Sequence, residues 1–280
     1  MSQVRRNFVY PEIITNETLI FGASFPSPVL VPDGDWRPYL PLDEHQLVSG
    51  IESSACFIYA QIHTIATLLE KQHGILDSNF GERFNALLAN GTEYGGNPIT
   101  GGESIRKDGL VKEATMPFSD DLESWWDYHS WKGVDEALAR TEGREFLKKW
   151  KINYKVIVER NDPVDLVYSR MKNELLSSPL PMSVYGAVDA TGNYIPKPVG
   201  ASDTHMVEAV HIDKDNSIWI FDTYEPFVKK LPPYYKPDFV KSYVVSKLTE
   251  QPKVSCPGNI WNWILNLWNS KFIIPFRRSS

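Results

Sequence analysis

The sequence predicts an α+β fold in which a helical half is followed by a β-rich half. Apolar residues recur at helical spacing early in the chain, above all at Ile58, Ile62, Ile65, Leu68 and Leu69. From about residue 151 the pattern changes to short β-branched and aromatic runs separated by Pro, Gly, Asn and Asp. With 280 residues, 42% hydrophobic and 23% charged, the chain can bury one large core or two lobes sharing an interface.

Residues 1–45 are rich in Pro, Gly and aromatics, as in Phe25-Pro26-Ser27-Pro28 and Pro32-Asp33-Gly34-Asp35-Trp36, and read as an extended arm with room for one strand. The first helix runs from about Cys56 to His73, where Gly74 supplies a C-terminal stop. A second spans about Phe80 to Asn90. After the turn Gly95-Gly96-Asn97-Pro98 a third runs from about Thr100 to Asp108 and ends at Gly109. A fourth lies near Val134 to Trp150, weakened by Gly143, and a fifth runs from about Pro163 to Leu176. The predicted strands are Ile152–Val158, Met182–Val188, His205–Ile212, Ser217–Phe221 and Lys241–Leu248. These assignments divide residues 46–250 into a helical lobe, about 46–150, and a β-rich lobe, about 151–250. Residues 251–280 form a separate tail.

In that tail Asn259, Asn262, Asn266 and Asn269 recur at intervals of 3, 4 and 3 residues among Ile, Leu and Trp, which makes an amphipathic helix with a narrow amide face. With Phe272 to Arg278 behind it, residues 259–278 could contact a membrane surface, a partner or the rest of this chain. A formal charge of −6 and a pI near 5.6 argue against a nucleic-acid partner. Two cysteines, Cys56 and Cys256, cannot build a disulfide framework, and residues Met1 to Arg6 lack the apolar core of a secretion signal. The expected location is therefore cytoplasmic, or phage- or virion-associated.

Cys56 is placed for chemistry. The first turn of a helix presents unpaired N–H groups and the positive end of the macrodipole, which favour a thiolate. A nucleophilic Cys also needs a base, and the base an orienting group. His63 and His73 share the helix of Cys56 and cannot fold back onto its first turn. His205 instead begins a strand. The turn Asp213 to Asn216 would set the next strand beside it and bring Asp222 near His205.

In order and context these stretches resemble the papain-like cysteine peptidases, and among them the divergent, disulfide-free bacterial and phage type. Ser53-Ser54-Ala55-Cys56-Phe57 is similar to the family's Cys-Gly-Ser-Cys-Trp, and Gly95-Gly96-Asn97-Pro98 to its Gly-Gly-x-Pro turn. His205-Met206-Val207 corresponds to His-Ala-Val, and Asp222-Thr223-Tyr224 to Asn-Ser-Trp. Cys56 and His205 lie 149 residues apart, within the roughly 130–150 expected of the family. The resemblance implies a two-lobed papain-like fold and a cysteine endopeptidase acting on polypeptides. Cys56 would be the nucleophile, His205 the base and Asp222 the orienting group, with no metal or organic cofactor. The Cys56 N–H and Gln46 would form the oxyanion hole. Gly95 and Gly96 would bind substrate beside Tyr224, the aromatic standing where the family has Trp. Gln46 lies ten residues before Cys56, where papain has six, so the approach loop must carry a four-residue insertion. An amidase or peptidoglycan hydrolase of related fold and a non-catalytic binding or structural protein are the alternatives.

Overall fold

A computed structural model describes residues 3–4, 8–11, 28–75 and 78–248. Those up to Lys247 belong to one compact unit. The arm begins with a short strand, β1 (Gln3–Val4), and later passes through a single 3₁₀ turn at Arg37–Tyr39. Trp36 anchors it: the indole is fully buried and its Nε1 donates to the Leu175 carbonyl at 2.6 Å. Next come β2 (Leu47–Val48) and β3 (Ile51–Glu52), a hairpin closed by Ser49 and Gly50 at φ 50° and 83°. Two consecutive positive φ values match the right-handed twist of such a pair.

The central helix, α1 (Cys56–His73), is buried on every side from Cys56 to Leu69. That is expected of a helix enclosed by other elements rather than lying on a surface. Gly74 ends it in the left-handed conformation, its N–H bonding back to Glu70 at 2.8 Å. Around it stand α2 (Glu82–Leu88) and α3 (Pro98–Asp108), the latter capped by the Asn97 side chain, with Pro98 at a position where no N–H is needed. The single turn α4 (Trp125–Tyr128) and α5 (Glu136–Lys149) follow. Gly143, which weakens α5 by propensity, lets it cross the backbone of α3, since a Cβ there would meet the Asp108 carbonyl oxygen at 2.2 Å.

The β half contains β4 (Trp150–Glu159), α6 (Val164–Glu174), β5 (Leu180–Val184), β6 (Ala187–Val188), β7 (His205–Ile212), β8 (Ile218–Phe221), β9 (Val228–Leu231) and β10 (Phe239–Lys247). Six strands form one antiparallel sheet in the order β4-β10-β5-β7-β8-β9, while β1 pairs with β6. Helix α1 packs on β5, β7 and β10, so the core lies between it and the sheet.

The five predicted helices and five predicted strands are present; Cys56–His73 and His205–Ile212 have the predicted ends, and the others are shifted. The run Met182–Val188 is two strands, because the chain turns at Tyr185 and Gly186. Missing from the sequence reading were β9, α4 and the hairpin of β2 and β3, all too short to carry a periodic signal. The predicted amphipathic helix at 259–278 lies outside the described residues. Among those described, no helix is long and apolar enough to cross a membrane.

Candidate active site

Cys56 opens α1 and is fully buried. Its sulfur accepts hydrogen bonds from the backbone N–H groups of Phe57 and Met206, so it lies against the residue that follows His205. The expectation of a thiolate held by the helix terminus is corrected here. Burial pushes the thiol well up, the carboxylates of Glu52 and Asp222 push it further, and the two N–H groups offset only part of this. Ionisation of Cys56 therefore needs a proton acceptor beside it.

His205 begins β7, and the antiparallel pairing of β7 with β8 brings the end of β8 back toward it. The imidazole Nε2 lies 2.9 Å from Asp222 Oδ1. An ionised carboxylate only accepts, so Nε2 carries a proton, and in the neutral imidazole Nδ1 keeps its lone pair. Nδ1 is buried and has no hydrogen-bond partner, the thiol included. Tyr194 is stacked against one side of the ring at 6.4 Å, and Tyr224 lies tilted at 5.5 Å.

Asp222 is held from several directions. Oδ1 also accepts from the Thr223 N–H at 2.8 Å, while Oδ2 accepts from the Tyr194 hydroxyl at 2.9 Å and from the Lys229 ammonium. The Lys229 and Asp222 side chains are fully buried. Sequence reasoning missed both Lys229 and Tyr194. In the structure Val228-Lys229-Lys230-Leu231 alternates exposed and buried, which points Lys229 inward with Leu231, but the sequence Val-Lys-Lys-Leu carries no such alternation.

Gln46 is fully buried, and the insertion separating it from Cys56 takes the form of the β2–β3 hairpin. That hairpin folds back so that the Ser53 N–H donates to the Gln46 carbonyl at 2.9 Å. The Gln46 amide is not free, however. Nε2 donates to Glu52 at 2.8 Å and lies 2.6 Å from the Tyr224 hydroxyl, and Oε1 accepts from Thr223 at 2.9 Å. Tyr224 in turn donates to Glu52 at 2.5 Å, which ties its hydroxyl to the oxyanion-side loop. Glu52 is a third residue that sequence reasoning missed, and two-residue strands leave no pattern by which to find it.

Gly95 and Gly96 are buried beside α1. A Cβ at Gly96 would meet the Phe57 ring at 2.2 Å, so only glycine fits there. Its backbone is engaged by the arm: the Val9 N–H donates to the Gly96 carbonyl at 3.2 Å, and the Phe8 N–H donates to the Thr204 carbonyl at 3.0 Å. The arm thus crosses between the glycine turn and the residue preceding His205.

The sequence matches no protein-family model and no curated protein sequence. Solved structures give the fold. Xylellain, a cysteine protease from Xylella fastidiosa, aligns over 90% of this chain and 99% of its own, with a TM-score of 0.57 and 15% identity. The Carica candamarcensis cysteine protease CMS1MS2 covers 75% of this chain and 96% of its own (TM-score 0.52, 15% identity). Digestive procathepsin L 3 of Tenebrio molitor larval midgut covers 79% and 71% (TM-score 0.52, 12% identity). The chain has a papain-like, two-lobed α+β fold.

Proposed function

We propose that this protein is a cysteine endopeptidase with Cys56 as nucleophile, His205 as general base and Asp222 as the group that orients it. The observation that carries this reading is the polarity of His205. Its Nε2 proton is committed to Asp222, and its buried Nδ1 lone pair has no partner, on a residue whose neighbour Met206 bonds the Cys56 sulfur. In the proposed reaction the thiol proton moves to Nδ1 as sulfur attacks the scissile carbonyl carbon. The imidazolium then protonates the leaving amine as the C–N bond breaks. Water, deprotonated by the same nitrogen, hydrolyses the thioester and regenerates the thiol. The Cys56 N–H would hold the oxyanion together with Gln46, once one Gln46 N–H leaves Glu52 or Tyr224. Gly96 would offer its backbone to an extended polypeptide.

Labelling with an epoxysuccinyl inhibitor tests this. One adduct on Cys56 is expected in the folded protein, absent in Cys56→Ala and strongly reduced in His205→Ala. A folded protein that forms no Cys56 adduct would exclude the reading.

The same reading makes Phe8 and Val9 a stopper, since they occupy backbone groups that an extended substrate would use. Val9→Pro removes the N–H that bonds Gly96. Loss of that bond, about 1 kcal/mol, is expected to raise the rate of Cys56 alkylation by iodoacetamide about fivefold. An unchanged rate would assign the arm a packing role only.

A further inference from the structure

Behind the nucleophile, on the same face of α1 two turns further on, His63 faces two carboxylates from separate parts of the chain. Glu44 comes from the approach loop and Glu82 from the first turn of α2. His63 Nε2 is 3.2 Å from Glu44 Oε2, and one ligand-type atom from each residue lies within 4.8 Å of the others. His63 and Glu82 are 2% and 3% exposed.

Three features set this cluster apart from an ordinary acidic patch. Glu82 Oε1 is buried with no hydrogen-bond partner, and so is the hydroxyl of Tyr128, which lies in the field of Glu82. No Lys or Arg among the described residues forms an ion pair with Glu44 or Glu82, while Arg83 acts on the adjacent Glu113 only through its field. The nearest cation in sequence, Arg83, donates instead to the carbonyls of Pro117, Asp127, Tyr128, Ser130 and Lys132. Glu82 is buried with one oxygen orphaned and the half-buried Glu44 beside it, and a divalent cation would neutralise this pair while filling the coordination of that oxygen.

We propose that Glu44, His63 and Glu82 form a binding site for a divalent transition-metal ion of the Zn²⁺ type. An imidazole nitrogen with two carboxylates suits Zn²⁺, whereas Ca²⁺ and Mg²⁺ favour all-oxygen sites. Zn–N and Zn–O bonds of about 2.0–2.2 Å put tetrahedral ligands roughly 3.3–3.6 Å apart, so closure needs only about an ångström of side-chain movement. The ion would tie three elements together: the loop that carries Gln46, the helix that carries Cys56, and α2. It would thereby position the oxyanion side of the cleft without touching substrate.

The test uses the full chain carrying Cys56→Ala, which removes the competing thiol, after EDTA treatment and dialysis. Calorimetric titration with Zn²⁺ should show one saturable equivalent and a rise in Tm, with Ca²⁺ and Mg²⁺ producing neither. Glu82→Gln and the half-buried Glu44→Gln should each weaken Zn²⁺ at least tenfold. If the buried variant fails to fold, Glu44→Gln decides alone. Co²⁺ in the same protein should give d–d bands without thiolate charge transfer, which excludes binding at Cys256. Absence of saturable binding, affinity unmoved by Glu44→Gln, or a thiolate band would overturn the site. None of these readouts depends on peptidase activity, so the metal site and the proposed function fail separately.

Discussion

Replacing Lys229 by methionine is expected to destabilise the protein by about 3–5 kcal/mol, and adding Asp222→Asn to that variant is expected to restore most of the loss. The Lys229 and Asp222 side chains have no solvent exposure, so removing the ammonium leaves a buried carboxylate whose desolvation is no longer offset by its counter-charge. Tyr194 and the Thr223 N–H still bond it, but as neutral donors. Asp222→Asn alone should also destabilise, because it strands the Lys229 cation instead. Only the double variant is neutral at both positions, so the two single losses should exceed the double loss by well over 1 kcal/mol in a denaturant cycle. Additive losses would mean that the pair is not coupled.

Catalysis should respond in the same direction. With Lys229 present, the pair offers His205 an acceptor of little net charge, electrically close to the Asn that the papain-like pattern has at this position. In Lys229→Met the uncompensated Asp222 favours the imidazolium, so the acidic limb of the rate profile, on which the His205 base is protonated, should move to higher pH. In the double variant it should return. A residue that merely fills space would change stability without moving that limb.

Legibility in the sequence followed the length of each element. Helix α1 could be read because Ile58, Ile62, Ile65 and Leu68 keep a helical period over about three turns and Gly74 ends it. The approach of Asp222 to His205 could be read because one tight turn joins two strands, and antiparallel pairing fixes which ends meet. What surrounds that pair could not. Lys229 sits in a four-residue strand whose two lysines read as polar surface, and Tyr194 comes from a loop with no period at all. Gln46 looked misplaced by four residues because sequence distance ignores folding back, which a two-residue turn at Ser49 and Gly50 accomplishes. Its engagement by Glu52 is a contact between side chains, and composition carries no trace of it. The cluster of Glu44, His63 and Glu82 draws on three remote segments, so no local pattern could join them.

Glu208→Gln is expected to stabilise the protein by about 3 kcal/mol at pH 7, raising Tm by about 6–12 °C, with no gain near pH 4. Glu208 lies inside β7 against α1, fully buried, its oxygens beside the Thr64 and Thr67 hydroxyls without a well-formed hydrogen bond. Burial pushes its carboxyl from the ordinary 4.5 up to about 8, so the folded protein holds a proton there that the unfolded chain has already released at neutral pH. Stability is therefore highest below about pH 4.5 as far as this group is concerned, and falls as pH rises from there to about 8. Each unit in that window costs about 1.4 kcal/mol, which at pH 7 accumulates to about 3 kcal/mol. Glutamine keeps the shape and carries no titrating proton, so the slope should vanish with it. Thermal unfolding of both proteins between pH 4 and 8 measures this directly. Parallel curves would mean that Glu208 is ionised in the folded state and satisfied by partners other than the two threonines.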